Sequence, residues 1–491
     1  MVKLKVRLLK WHAGIPVAMI HDEIAGELGV HIRERISIKT SSGEINTIVD
    51  IIGSLIRKNE IAVSYELSKR LKLKDGQKVD VDIAEATKSL AFIKEKLNNQ
   101  TLSEQEIKEI IKDVVDNAIS ESEIAMFVSA MHKYGMTHKE TVYLTKAILE
   151  TGNRLKLKSR LIADKHSIGG VAGNRTTPLV ISICAVAGLI MPKTSSRAIT
   201  SAAGTADVIE TIAKIDFPIN ELQKIIRKTK ACMVWGGGLG MVPADSKIIK
   251  VEKLLKIDPK AQLLASIMSK KLAVGSNYIL IDIPYGKSAK MNKKKALELK
   301  RDFEKLGKYF NKELKCVLTD GSQPIGNGVG PILELIDVLD VLNPKHQGPK
   351  DLEDKSVFLA GELLEMTNKA KKGEGGELAK KILGSGKAFE KFKQIVLAQK
   401  RKNSVKLQPA KFKKEIHTSK SGKIKEIDNK KINSLARIAG CPVDKSAGLY
   451  LYKHAKDKVK KGEPLITIYS ETRARLNQAI AFYRKEKPIK I

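Results

Sequence analysis

Aromatic residues are scarce in this chain: 4% of 491 residues, two of them tryptophan. That leaves too few rings for an obvious base-stacking platform of the kind single-stranded nucleic acid requires. The four cysteines (Cys184, Cys232, Cys316, Cys441) are far apart and form no Cys-x-x-Cys, so no zinc site is implied. Cys184 falls in an apolar run and reads as a small buried hydrophobe. Pairing among the four would be expected only of a hyperthermophilic source. No apolar run reaches the ~18 residues that cross a bilayer. Met1-Val2-Lys3-Leu4-Lys5-Val6 alternates like a strand and lacks the apolar core of a signal peptide. A cytoplasmic protein without membrane contact is expected. Acidic clusters suited to an obligatory metal are missing too, so neither a metal nor an organic cofactor is expected.

Acidic charge is in deficit. Against 89 Lys and Arg stand 55 Asp and Glu, a net charge of +34. A balance of that size raises nucleic-acid binding as a function. The lysines, however, are interleaved with glutamates on polar helix faces, as in Lys108 to Lys112 and Lys293 to Lys305; only Lys387 to Lys425 is densely basic. A lysine-rich surface that attracts small anions is favoured, and nucleic acid is not expected as a partner. A basic nucleic-acid-binding protein remains the alternative from another functional class.

The length exceeds what one core supports, and about two to four domains are expected. Residues 1–84 contain an internal repeat. Ile20, Ile24, Leu28, Val30, Ile36 and Ile38 correspond at one constant offset to Val63, Leu67, Leu71, Leu73, Val79 and Val81. Each half reads as a short helix followed by an alternating strand, which predicts a pseudo-twofold β-barrel of the double-psi type. It carries no catalytic constellation. Residues 85–158 show helical spacing, with capping boxes at Ser103-x-x-Glu106 and Thr137-x-x-Glu140; residues of about 243–274 are expected to join this helical domain. Over 159–400 strands alternate with helices, as in a mostly parallel α/β sheet. Strand candidates are Leu161–Ala163, Ala231–Val234 and Tyr278–Ile283. Gly236-Gly237-Gly238-Leu239-Gly240 reads as a close-approach turn or a hinge. The lysine-rich stretch Lys387 to Lys413 reads as a linker, and residues 410–491 as a small α+β domain.

The chemistry concentrates in Asp164-Lys165-His166-Ser167-Ile168-Gly169-Gly170-Val171, followed by Gly173-Asn174-Arg175-Thr176-Thr177-Pro178 and an apolar helical run. A strand, a glycine-rich turn and a helix N-terminus together form an anion cradle, because backbone N–H groups and the helix dipole converge there. Lys165 adds a positive charge; Ser167 and Thr176 add hydroxyls. Neither the Walker spacing nor Gly-x-Gly-x-x-Gly is present. A second segment, Lys193 to Asp207, concentrates three serines and three threonines around Lys193 and Arg197. It suits a second helix-terminal anion site or a polar loop with capped helix ends.

The run from Asp164 to Thr177 resembles the phosphate-binding signature of the thymidine phosphorylase family, and the resemblance extends over roughly residues 85–491. It implies phosphorolysis of an N-glycosidic bond, with inorganic phosphate held by Lys165, Ser167, Thr176, Ser195 and Thr205. Leu263 to Lys271 is similar to the family's base-recognition helix, with Ser266 and Lys270 four apart on one face. The arginine that polarises a pyrimidine carbonyl in those enzymes has no counterpart in Lys250-Val251-Glu252-Lys253-Leu254, so thymine recognition does not carry over. The Gly-Asn-Arg-Thr-Thr pattern, the run Thr194 to Arg197 and the extra N-terminal domain resemble instead the archaeal nucleoside-monophosphate branch. That branch implies AMP and phosphate as substrates, with CMP and UMP as further candidates. It gives a free base and ribose 1,5-bisphosphate in AMP degradation. Implied nucleotide contacts are Gly170, Ser196, Arg197, Ala198, Ile199, Thr200, Ser201, Thr205, Ser266, Lys270 and Lys290. Asp258 is implied as the proton donor to the departing base; read from the residues alone, Asp258-Pro259 suits equally a helix N-cap with proline behind it. His166 either touches base or sugar or packs in place. A homodimer or larger homo-oligomer is implied. A thymidine or pyrimidine-nucleoside phosphorylase is the alternative on the same scaffold.

Overall fold

The computed structural model describes residues 1–491 except 10, 15, 42, 85, 86, 199, 200 and 403–406. Ile199 and Thr200, both expected nucleotide contacts, therefore lie outside the described residues. Two compact units emerge. One comprises Met1–Thr151 with Pro243–Ser266, the other Gly152–Val242 with Ile267–Ile491.

The first unit opens with a closed six-stranded barrel. Its elements are β1 (Val2–Leu8), β2 (Val17–His21), α1 (Asp22–Leu28), β3 (Arg35–Thr40), β4 (Gly43–Ile52), β5 (Glu60–Val63), α2 (Tyr65–Leu71) and β6 (Lys78–Ile83), with strand order β1-β5-β2-β4-β3-β6. The 43-residue offset from Ile20 to Val63 maps β2, α1 and β3 onto β5, α2 and β6, and β1 onto β4. The pairing obeys the same symmetry: β1 with β5 and β2 with β4 are parallel, the other pairs antiparallel. All twelve residues of the repeat pattern lie in the barrel core.

Next come α3 (Ser89–Leu97), α4 (Glu104–Asp116), α5 (Glu121–Tyr134) and α6 (His138–Glu150). Both predicted capping boxes form, and a third joins Ser120 to Glu123. Glu140 serves twice. It closes its own box and, fully buried, accepts from Lys96 Nζ at 2.8 Å and from the Leu102 N–H at 3.0 Å. A buried carboxylate left without that lysine would be strongly destabilising.

The second unit is built on β7 (Ala163–Ser167), α7 (Thr176–Val186), β8 (Met191–Ser195), α8 (Thr205–Ile209), α9 (Ile219–Thr229) and β9 (Ala231–Trp235). The chain then passes through α10 (Pro243–Leu255) and α11 (Lys260–Ala273). It returns as β10 (Tyr278–Tyr285), α12 (Lys293–Tyr309) and β11 (Glu313–Asp320). α10 belongs to the first unit: Lys247 on it donates to the Val114 and Val115 carbonyls at the end of α4, at 2.8 and 2.9 Å. Strands β11-β10-β7 are parallel, β8-β9 are parallel, and a parallel bridge between Ile162 and Ile190 links the two sets. The chain steps from β7 to β8 to β9, then β10 returns to the far side of β7. The order therefore switches between β7 and β10, where open α/β sheets bind ligands beyond the strands' carboxyl ends.

Two expectations need correction. The strand predicted at Leu161–Ala163 runs instead from Ala163 to Ser167, so Asp164, Lys165, His166 and Ser167 belong to β7 and the glycine turn begins only at Ile168. Parallel pairing with Tyr278 to Asp282 of β10 holds these polar residues in extended conformation. Lys387 to Lys413 is not a linker throughout. Following β12 (Gly328–Val329), α13 (Pro331–Leu342), α14 (Lys350–Met366) and α15 (Gly375–Gly384), its first part forms α16 (Lys387–Ala398). Phe392, Ile395 and Val396 of that helix sit in the main core, and burial of its apolar stripe outweighs the lysines on the other face.

The C-terminal part has β13 (Phe412–His417), β14 (Gly422–Lys423), β15 (Glu426–Ile427), α17 (Asn429–Ala439), β16 (Gly448–Leu451), β17 (Lys458–Val459), β18 (Pro464–Ser470), α18 (Arg473–Glu486) and β19 (Ile489–Lys490). Its main sheet is antiparallel, in the order β12-β16-β18-β13. All four cysteines are buried and free. No helix among the described residues is long and apolar enough to cross a membrane.

Candidate active site

Strands β7 and β8 end in Ser167 and Ser195, on the carboxyl edge of the sheet. Lys165 lies two residues inside that edge and is almost wholly buried, with Nζ donating to Thr176 Oγ1 at 2.6 Å. Burial pushes the ammonium down to about 7; Asp282 opposes the shift, while Lys355, Lys193 and Arg175 add to it. Thr176 is the first residue of α7. The preceding Arg175 places no side-chain cap on that helix end, so its first N–H groups remain available to an anion. Ser167 Oγ accepts weakly from Gly169 N–H and Asn174 Nδ2, both at 3.4 Å. Ser195 Oγ and Thr194 Oγ1 are buried without a hydrogen-bond partner among the described residues. Unpartnered buried hydroxyls at such an edge are what a bound oxyanion would satisfy.

The glycines explain the turn. Gly170 has φ +89°, and a Cβ there would lie 2.9 Å from both Cβ and backbone N of Lys290. Gly173 has φ +67°, and a Cβ there would lie 2.4 Å from the Ile325 carbonyl oxygen. Gly170 thus lets the loops after β7 and β10 meet at the switch point, and brings the backbone of Lys290, an expected nucleotide contact, against the glycine loop.

Thr205 opens α8, and its Oγ1 accepts from Arg175 Nη1 at 2.8 Å. Arg175 was not singled out as a ligand, and its partners explain why it is not placed as one. Its Nε and Nη2 reach Glu334 Oε2 at 2.7 and 2.6 Å, and Nη2 also donates to the Ala203 carbonyl at 2.7 Å. It is a buried clamp joining the start of α7 and the start of α8 to α13. Arg197 is likewise committed. Its guanidinium grips Glu210 through two bonds of 2.6 Å, approaches Asp207 at 3.4 Å and lies 5.2 Å from the Trp235 ring. Arg197 accordingly holds Glu210 down to about 2. Asp207 Oδ2 accepts the N–H groups of Ala198 and Gly204, at 2.7 and 2.9 Å, which fixes the ends of the segment containing Ser201, just beyond Ser196. Ser201 Oγ donates to the Ala203 carbonyl at 2.9 Å.

Beneath the cradle, two carboxylates collect the remaining lysines. Asp164 faces Lys271 at 2.9 Å and Lys193 at 3.2 Å. Asp282 faces Lys355 at 3.2 Å and accepts from Thr319 at 2.5 Å. Burial holds Lys271 well below its usual value despite the pull of Asp164. His166, hemmed in by Lys271, Lys193, Lys270 and Lys165, is pushed well below its usual value, chiefly by burial. It is a neutral imidazole near pH 7 and has no imidazolium proton to give. Asp282 had a legible signal, a single carboxylate inside the apolar strand Ile279–Ile283.

Ser266 and Lys270 both lie on α11, Ser266 buried. Asp258 is exposed and belongs, with Ser266, to the first unit. The carbonyl of Pro259 accepts the Leu263 N–H at 2.9 Å, and α11 itself begins at Lys260, two residues after Asp258. The Gly236 to Gly240 segment is a close-approach turn: a Cβ on Gly238 would lie 2.1 Å from Asp216 Oδ1.

Known proteins match this architecture in order. A glycosyl transferase family helical bundle domain matches residues 90–152, a glycosyl transferase family α/β domain residues 159–389, and a pyrimidine nucleoside phosphorylase C-terminal domain residues 423–490. Anthranilate phosphoribosyltransferase from Thermus thermophilus shares the fold over 62% of this chain and 98% of its own, with a TM-score of 0.52 at 18% identity. These matches define the class, a glycosyl transferase fold carrying the pyrimidine nucleoside phosphorylase C-terminal domain. The AMP phosphorylase of Thermococcus kodakarensis is 42% identical over 100% of this chain and 98% of its own length. That of Pyrococcus furiosus is 41% identical over 99% and 97%, and that of Methanocaldococcus jannaschii 41% over 100% and 98%. The chain belongs to the AMP phosphorylase family.

Proposed function

We propose that the protein cleaves the N-glycosidic bond of AMP with inorganic phosphate, giving adenine and ribose 1,5-bisphosphate, with CMP and UMP as further substrates. One observation carries the reading: the buried Lys165–Thr176 pair at the start of α7, on the same sheet edge as the Ser195 hydroxyl, which has no hydrogen-bond partner among the described residues. Lys165, Ser167, Thr176, Ser195 and Thr205 hold phosphate. Thr176 and Thr205 each accept a cationic hydrogen bond at Oγ1, which leaves their hydroxyl protons to donate to an anion. One phosphate oxygen attacks the anomeric carbon as the bond to the base nitrogen breaks, and the bonding pair leaves with the base. The remaining phosphate charge stabilises the oxocarbenium-like state. Asp258 supplies the proton that the leaving base takes up. Gly170, Ser196, Arg197, Ala198, Ile199, Thr200, Ser201, Thr205, Ser266, Lys270 and Lys290 receive the nucleotide. Arg197 does so as the organiser of its loop, since Glu210 occupies its guanidinium. Lysine charge performs the neutralisation, and the reading assigns no step to a metal or cofactor. It takes the working form to be a homodimer or larger homo-oligomer.

The test is phosphorolysis of AMP, CMP, UMP, thymidine and uridine side by side, with base release followed. AMP should turn over fastest, and faster turnover of nucleosides than of their monophosphates would defeat the reading. In the same assay Asp258→Asn should lose about 10²–10⁴-fold in turnover at unchanged melting temperature, the usual contribution of a general acid. A folded variant within about threefold of wild type, far short of that contribution, would remove Asp258 from the chemistry.

A further inference from the structure

The C-terminal domain reaches into the loops at the sheet's carboxyl edge through two asparagines one turn apart on α17. Asn429 is fully buried. Its Oδ1 accepts the Ala172 N–H at 3.0 Å, and its Nδ2 donates to Ser288 Oγ at 3.1 Å and to the Gly321 carbonyl at 2.9 Å. The amide orientation is fixed by its partners, because Ala172 offers only a donor and Gly321 only an acceptor. A single side chain therefore ties together the phosphate loop after β7, the Gly286 to Lys290 loop after β10 and the start of the loop after β11. Asn433 repeats the device on the second anion segment, where its Oδ1 accepts the Ala202 N–H at 2.9 Å. Packing reinforces both contacts. Ala172 and Ala202, each 1% exposed, belong to the same apolar cluster as Ile432, Leu435 and Ala436 of α17.

We propose that Asn429 and Asn433 are positioning residues for phosphate and nucleotide, and that the C-terminal domain is thereby part of the functional site. The inference rests on the phosphate assignment made above. The loops after β7 and β11 share a bond from the Ile325 N–H to the Ala172 carbonyl at 3.0 Å, those after β10 and β11 a bond from Ser288 Oγ to the Ser322 carbonyl at 3.0 Å, and Arg175 joins the loops after β7 and β8. Gly169, Gly170 and Gly173 all have positive φ, so the phosphate loop is built from the most permissive residue type. A glycine-rich loop binds an anion tightly only when its N–H groups are held in place beforehand. Asn429 supplies that restraint from outside the sheet. It also couples the two loops of the switch point, since Ser288 is two residues from Lys290, whose backbone abuts Gly170.

The test uses the full chain with Asn429→Ala, Asn433→Ala and, as a control, Ser470→Ala. Ser470 is buried in the same domain and donates to the Ala439 carbonyl at 2.7 Å, but none of its recorded bonds involves a loop of the sheet edge. Binding of inorganic phosphate is measured by calorimetry, KM for phosphate and AMP by base release, and stability by thermal melting. Each asparagine variant should weaken phosphate binding about tenfold, the effect expected of one lost buried hydrogen bond. Asn429→Ala should raise KM for AMP as well. Ser470→Ala should lower the melting temperature with both constants unchanged. Should Asn429→Ala fail to fold, Asn433→Ala decides. Asparagine variants that melt early yet bind phosphate within about twofold of wild type, well below that loss, would reduce both residues to structural glue and overturn the proposal. Wild-type protein that binds phosphate but leaves AMP intact would instead count against the proposed substrate, and the binding comparison would still stand.

Discussion

Lys165 is a lysine that gives up its proton near neutrality. Charging it inside the sheet costs stability, and that cost is relieved as pH rises from about 7 toward the ordinary lysine range, where only the unfolded chain still holds the proton. Anion binding runs the other way, because only the protonated amine attracts an oxyanion. By linkage, a bound anion must raise the affinity of Lys165 for its proton. Sulfate, which keeps one charge state across the range, isolates the effect. Its affinity should be flat below pH 7 and fall toward tenfold per unit above it, and Lys165→Met should flatten the profile. A wild-type profile that stays level to pH 9 would place the anion elsewhere. Neighbouring His166 contributes no such step, since its ring is already neutral there.

At the scale of elements, the loop between β7 and α7 sets two glycines in contrast. Gly169 has φ +84° with nothing within 4 Å of an added Cβ, whereas Gly173 has φ +67° and would drive a Cβ into the Ile325 and Gly328 carbonyls. Gly169→Ala should cost about 1–2 kcal/mol, the left-handed penalty alone. Gly173→Ala should cost more than that and weaken phosphate binding too, because the loop must move. Chemical denaturation of both variants checks the order, and equal losses would contradict it. The glycine turn leading into a helix start was legible in the spacing of this loop. Where the strand stops was not, because central parallel strands are normally apolar, and Asp164, Lys165 and Ser167 looked like loop residues. Their burial depends on Lys193, Lys271 and Asp282, remote in sequence. Asn429 was invisible for the same reason: its three partners come from three other loops. The barrel repeat and the capping boxes were legible because each is a local pattern with a fixed period or spacing.

For the whole molecule, +34 charges on a chain whose proposed substrates are both anions make the field part of its kinetics. Raising ionic strength from about 0.02 to 0.5 M shrinks the Debye length from roughly 20 Å to under 5 Å. The kcat/KM for AMP should fall at least about threefold as long-range attraction is screened, with little change in kcat. A constant or rising kcat/KM would assign the lysines to another task. The barrel carries a different lesson. Its halves repeat after 43 residues, and the pairs β2 with β5 and β3 with β6 each join an element to its own copy, as across the face of a C₂ dimer. The domain is a homodimer written into one chain. A lone half would meet its equal only by collision and come apart on dilution; covalent tandem duplication removes that dependence on concentration.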